Sequence, residues 1–115
     1  MPTDDDDPCE VRITASSLDW LVDHTRQLVG DRLVACGQHE TTIRSIYRWQ
    51  GAIEDDTEAR VALHTTHRCV PEIIRRTQAA HSDDVPGIIV LPIVDGNPDY
   101  LQWLREQTQQ AADEP

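Results

Sequence analysis

The chain has 115 residues, a length that points to one domain built around one modest core. Its formal net charge of −11 sets it against nucleic acid, because phosphate recognition needs clustered cationic side chains. No apolar run reaches the roughly 18 residues of a membrane span, and Cys9, Cys36 and Cys69 make neither a CxxC pair nor an even disulfide set, which fits a reducing compartment.

The N-terminus "MPTDDDDP" lacks the basic start and apolar run of a secretory signal, so the cytoplasm is the expected location. Residues 1–9 read as an acidic disordered tail, 10–108 as the folded domain and 109–115 as a flexible C-terminal tail. The aspartates at 4–7 lack the alternating ligands and glycine of a calcium loop.

"EVRITA" at 10–15 alternates Val11 and Ile13 with polar residues, the pattern of a strand. Ser16 or Ser17 then offers an N-cap for a helix in which Leu18, Leu21, Val22, Thr25, Leu28 and Val29 share one face, ending near Gly30. "LVACGQHETTIRSIYRWQ" reads as a long strand, with Gly37 expected to mark a bulge or bend. Ile43, Ser45, Tyr47 and Trp49 fall on one of its sides, Arg44, Ile46 and Arg48 on the other. Gly51 marks a turn, and "ARVALHTT" returns with Val61 and Leu63 opposite Ala62 and His64.

"CVPEIIRRTQAAH" reads as a second helix, with Pro71 tolerated in its first turn and Ile73, Ile74 and Thr77 as a narrow buried stripe. The apolar run "VPGIIVLPIV" has the pattern of a buried strand. Asn97 can cap a last helix that starts at Pro98 and places Leu101, Leu104 and Thr108 along one side. The order is βαββαβ plus a short C-terminal helix, an α+β fold of the ferredoxin-like kind with an antiparallel sheet and two helices on one face. The other sheet face, bearing either Tyr47 and Trp49 or Ile46, is left open in a single copy, which predicts an oligomer.

"RLVAC" at 32–36, "SIYRWQG" at 45–51, Glu58 followed by "ARVALHTT", "DVPGIIVLPI" at 84–93 and "DYLQWL" at 99–104 together resemble the CutA divalent-cation-tolerance family. The match runs in register from about residue 10 to 108. The resemblance implies a homotrimer, PII-like in architecture, whose sheets face one another and leave clefts between subunits. It also implies a role in divalent metal tolerance, with copper the metal usually named, and Cys36 and His81 match copper-associated positions. A third such position, a cysteine in some members, is Ile13 here.

The chain departs from the family pattern at several places. His64 stands where the family has lysine, and Gln50 where it has glutamate. The family's "HPY" is His81, Ser82 and Asp83, and Ser16 and Ser17 replace the Pro-Asp that follows Thr14 and Ala15 in other members. Histidine in place of lysine exchanges a fixed cation for a group able to serve as ligand, acid or base. The expected cleft comprises Trp49, Gln50, Glu58, His64, His81 and Trp103.

Three functions follow as expectations. A metal protein would use Cys36, His64 and His81, or the histidine-cysteine group His64, His67, Cys69 and His81, although H-x-x-H-x-C matches no closed metal motif. A PII-like sensor would hold a small metabolite in the cleft between subunits. An enzyme on the same scaffold would use His64 as acid or base, assisted by Glu58 or His81. Cys36 reads most simply as a small buried hydrophobe, Cys69 near a helix start has the setting for a depressed pKa, and no Gly-rich phosphate loop is present.

Overall fold

The computed structural model describes residues 4–113, with side chains described for 4–108. Its elements are β1 (Pro8–Ala15), α1 (Leu18–Gly30), β2 (Cys36–Trp49), β3 (Ala52–Thr66), a 3₁₀ turn (His67–Cys69), α2 (Val70–Ala80), β4 (Ile88–Pro92) and α3 (Pro98–Asp113). The sheet order is β2-β3-β1-β4 with antiparallel neighbours throughout. β3 is thus inserted between β1 and β2, and β1 between β3 and β4, which is the split βαβ arrangement expected from the element order.

One face of the sheet carries the core. Val11 and Ile13 of β1 and Val61 and Leu63 of β3 are fully buried there against Leu21 and Leu28 of α1 and Ile73 of α2. The period-2 pattern of the strands and the helical spacing of α1 and α2 meet at this layer. Ser17 caps α1 by accepting the Trp20 N–H at 3.1 Å, and Pro71 sits in the first turn of α2. Asn97 accepts the Asp99 N–H on its side chain at the start of α3, which packs against β3, β1 and the 3₁₀ turn through buried Leu104 and Thr108.

Several features differ from the sequence reading. The bulge in β2 lies between Thr41 and Ile43, where Thr42 has φ +66°, and not at Gly37. Gly37 is instead a point of close approach: a Cβ there would lie 2.4 Å from Thr25 Cγ2 of α1. The turn does fall at Gly51 as expected, and the hairpin closes there in two residues, Gln50 (φ +49°) and Gly51 (φ +82°), the left-handed turn that matches strand twist. The acidic stretch after Ile53 is therefore strand, paired with β2.

The run 85–94 is not a buried strand in a single chain. β4 is a short edge strand paired only with β1; Ile88 and Val90 pack on the core, while Ile89 faces away and is 56% exposed. The expected acidic tail is also partly tied down. β1 starts at Pro8, two residues before the expected boundary, and the His67 and Arg68 N–H groups donate to the carbonyls of Asp7 and Asp5. Arg68 also pairs with Asp6 at 2.9 Å. Main-chain bonds of this kind order a segment whose charge pattern alone reads as solvated. At the other end the α3 backbone continues to Asp113, through most of the expected C-terminal tail; residues 1–3 and 114–115 lie outside the described residues.

Candidate functional site

The residues singled out in the sequence fall into two groups at opposite ends of the sheet. His64 and Glu58 lie on the same side of β3 but six residues apart, about 20 Å at 3.3–3.4 Å per residue.

At the first end, His64 opposes Glu10 on β1 and Cys36 on β2. Its Nε2–H donates to Glu10 Oε1 at 3.0 Å, and its Nδ1 accepts from the Tyr100 hydroxyl at 2.5 Å. Arg12 donates to the second Glu10 oxygen at 2.7 Å. Burial works to raise the Glu10 pKa, but the hydrogen bonds from Arg12 and His64 and the charge of Arg12 outweigh it and hold the carboxyl below its ordinary value. A carboxylate so held only accepts, which fixes the proton of the His64 ring on Nε2 and leaves Nδ1 as the acceptor for tyrosine. Tyr100 stands edge-on to His64 with ring centroids 5.8 Å apart and is tilted against Trp103 at 5.7 Å. Its phenol is pushed up by burial, then by Cys36 and by the Glu10 charge, so it stays protonated and is not poised as a nucleophile. Glu10, Arg12 and Tyr100 were missed in the sequence; nothing local marks them, since Glu10 and Tyr100 are 54 and 36 residues from their partner.

At the second end, Trp49 and Glu58 line a groove of about 450 Å³ together with Thr14, Tyr47, Ser82, Asp83, Asp84, Val85 and Gly87. His64, His81, Gln50 and Trp103 are not among its lining residues. His81 caps the end of α2 beneath this groove, with its side chain nearly fully buried. Its Nε2–H donates to the Thr14 carbonyl at 2.8 Å and its Nδ1 accepts the Asp83 N–H at 2.9 Å, so both ring nitrogens are engaged. Trp20 packs edge-on against it at 5.1 Å.

The expected histidine-cysteine group does not form in one chain. Cys69 is buried between Thr66 and the Thr108 carbonyl, and burial raises its pKa, contrary to the depression expected near a helix start. Cys9 is likewise pushed up to about 12 by burial and by Cys69. Cys36 is half-exposed, not buried, because it lies where β2 begins beside Tyr100. With the nitrogens of His64 and His81 already bonded, and no three His, Cys, Asp or Glu side chains converging among the described residues, one copy does not supply a metal centre.

A four-stranded antiparallel sheet in split βαβ order, two helices on its apolar face and a third across its end define a small α+β protein of the ferredoxin-like class. The profile of the CutA1 divalent ion tolerance protein family matches residues 9–107, and the chain belongs to that family. A divalent-cation tolerance protein CutA of Thermus thermophilus is 41% identical over 98 residues, covering 85% of this chain and 95% of its own length. The human protein CutA is 38% identical over 88 residues, 76% of this chain but 49% of that relative, so the chain spans about half of it. The solved Cut A1 structure from Thermus thermophilus superposes with a TM-score of 0.85 at 40% identity, covering 88% of this chain and 98% of that one. A structure from Archaeoglobus fulgidus, described as a periplasmic divalent cation tolerance protein CutA, gives 0.84 at 30% identity, with 88% and 98% covered.

Proposed function

We propose that this chain serves divalent-cation tolerance, copper in the first place, as a homotrimer, and that its metal ligands and clefts are completed between copies. The observation that carries this reading is the number of large apolar side chains that one copy leaves exposed on both faces of its strands. Ile46, Ile53 and Ile89 are 66%, 68% and 56% exposed, and Tyr47 and Trp49 are close to half exposed. A small domain does not ordinarily leave so many large apolar side chains on its strands in water; a second copy covers them. Cys36 is the accessible thiol and would meet the metal together with ligands from neighbouring copies, since among the described residues no group of three such ligands forms within one chain. The cytoplasm is the proposed location: the three cysteines are free, and among the described residues no helix is long and apolar enough to cross a membrane.

Sedimentation at several concentrations, with calorimetric titration of copper and zinc into the metal-free protein, tests this reading. A trimer that takes up metal stoichiometrically, with the heat lost in Cys36→Ala, is the expected result. A monomer at micromolar concentration, or flat traces for both metals, refutes it.

The Glu10–His64–Tyr100 hydrogen-bond chain favours a second reading, an acid–base enzyme in which His64 works with Glu10 and Tyr100 rather than with Glu58 or His81. A PII-like sensor would instead use the groove beside Trp49. His64→Lys removes turnover under the enzyme reading and leaves saturable ligand binding intact under the sensor reading.

A further inference from the structure

We propose that His81, although it stands at a copper-associated position of the family, is not a metal ligand in this chain: its imidazole takes the place of a peptide group where β4 parts from β1, and it positions the 82–87 loop. This removes one ligand from the metal site read above. Only that part rests on the metal reading; the positioning role does not.

Thr14 is where the two strands separate. Its N–H donates to the Gly87 carbonyl at 3.2 Å, one residue beyond the last strand pair, Ile13 with Ile88. In an antiparallel ladder the members of such a pair exchange both bonds, so the Thr14 carbonyl points to the same side and calls for the Gly87 N–H. The donor it has is the His81 ring, whose Nε2–H reaches it at 2.8 Å. The side chain thus completes the last rung, and the chain is free to swing away from β1 at Gly87. Glycine suits that point, since a Cβ there would lie 2.8 Å from Thr14 Oγ1.

On its other side the ring holds the loop. Nδ1 accepts the Asp83 N–H at 2.9 Å, while the Asp83 carboxylate, 4.0 Å from the same nitrogen, is beyond hydrogen-bond range. The His81 N–H donates to the Thr77 carbonyl at the end of α2, and Trp20 of α1 closes on the ring at 5.1 Å. One side chain therefore ties α1, α2, β1 and the loop together.

Metal binding needs what this arrangement denies. A histidine holds an ion through a ring-nitrogen lone pair, and the one that His81 has, on Nδ1, is aimed at the Asp83 N–H. Turning the ring to free it would leave the buried Thr14 carbonyl and the Asp83 amide without partners. The side chain is 1% exposed, and its cover comes from its own chain, so assembly of copies adds to that cover and does not remove it. Nor does Cys36 come near. It lies opposite His64 and, across β3, Glu10, four residues from Thr14 and so about 13 Å away along the strands, whereas a zinc ion holds its ligands at about 2.0–2.3 Å.

The test uses the full-length protein in its native assembly. A nitrogen-15 spectrum of the metal-free parent should show the His81 ring proton on Nε2, in slow exchange with water, and unmoved when zinc is added to saturation. Two half-replacements then separate the two bonds: asparagine carries an amide oxygen near the place of Nδ1, and glutamine an amide nitrogen near the place of Nε2. His81→Ala should speed hydrogen exchange at the Asp83 and Thr14 amides at least tenfold, with His81→Asn restoring Asp83 alone and His81→Gln restoring Thr14 alone. Affinity for copper and zinc should change less than twofold in His81→Gln. The ring spectrum and the exchange rates are read before any metal is added, so they decide the positioning role even where the parent binds no metal and the copper reading falls. A ring proton on Nδ1, a His81 signal displaced by stoichiometric zinc, a tenfold loss of metal affinity in His81→Gln, or the same exchange rates in the alanine, asparagine and glutamine variants overturns the proposal.

Discussion

Replacing Tyr100 by phenylalanine removes one oxygen and isolates the hydrogen bond that fastens α3 to the sheet. The hydroxyl donates to His64 Nδ1 at 2.5 Å, and His64 is only 13% exposed at its side chain, so the nitrogen left behind has little access to water. The phenylalanine ring keeps the edge-on contact with His64, which confines the loss to the polar atom. A neutral hydrogen bond of this kind contributes about 1 kcal/mol, and an orphaned, nearly buried acceptor brings the total cost to about 1–2 kcal/mol. With a urea slope of about 1.5 kcal/mol per molar, the midpoint falls by about 1 M with the slope unchanged. The measurement is urea unfolding at fixed protomer concentration for the parent, Tyr100→Phe, His64→Leu and the double variant. With His64 already removed, Tyr100→Phe should cost under about 0.5 kcal/mol, giving a coupling near 1 kcal/mol. A coupling below about 0.3 kcal/mol would show that the bond does not hold α3 and would refute the reasoning.

Gly37→Ala should lower stability by about 1–3 kcal/mol, since the new methyl would lie 2.4 Å from Thr25 Cγ2 and 3.3 Å from Leu63 Cδ2; thermal melts check it. Thr42→Gly should raise stability by about 0.5–1 kcal/mol, because a β-branched residue sits at φ +66° in the β2 bulge and glycine carries no such strain. His24 is buried, stacks on Trp20 and donates to Thr77 Oγ1; burial first, then the charges of His81 and Arg76, holds its pKa below the unfolded value near 6.5. The unfolded chain therefore binds more protons just below that value, so this contribution is complete above about pH 6.5 and is lost as pH falls toward the folded pKa. Urea midpoints between pH 7.5 and 5 should fall more gently in His24→Gln than in the parent, with His39, depressed by burial alone, supplying what slope remains.

How much of this was legible depended on the range of the interaction that decides each feature. The alternation around Val11 and Ile13 and around Val61 and Leu63, and the spacing of Leu21, Thr25 and Leu28, are local patterns that named buried positions, whereas Val29, placed on the same helix face, is 40% exposed and His24 is buried instead. The element order and the Gln50-Gly51 turn are likewise local, and they sufficed for the topology. Gly37 signalled a special position, but an approach of α1 and a bulge look alike in one strand; only the packed helix distinguishes them. β4 misled because an apolar run says that both faces dislike water, not that one chain covers both. The ordering of Asp4–Asp7 depends on main-chain donors of His67 and Arg68, about sixty residues away, which no charge pattern announces. His64 was recognised through its departure from a family lysine, whereas Glu10 and Tyr100, which define its chemistry, lie on other elements.

The separation of Glu58 from His64 also offers a way to ask whether copies share a cleft. Residues about 20 Å apart on one strand, with no common partner, should respond additively to substitution, within about 0.3–0.5 kcal/mol. Within one chain Glu58 belongs to the groove with Trp49, and His64 to the bond chain with Glu10 and Tyr100. Coupling between them can therefore arise only where one copy's groove meets the neighbour's His64 end. The cleft proposed for the trimer predicts this arrangement: Glu58→Gln and His64→Leu should couple by more than about 0.5 kcal/mol when unfolding is followed well above the concentration at which the assembly dissociates. The coupling should vanish on dilution below it, while the Tyr100–His64 coupling, internal to one chain, persists. Additivity of Glu58 and His64 at every concentration, in a protein shown by sedimentation to be trimeric, would place the two ends in separate environments and remove the shared cleft from the account.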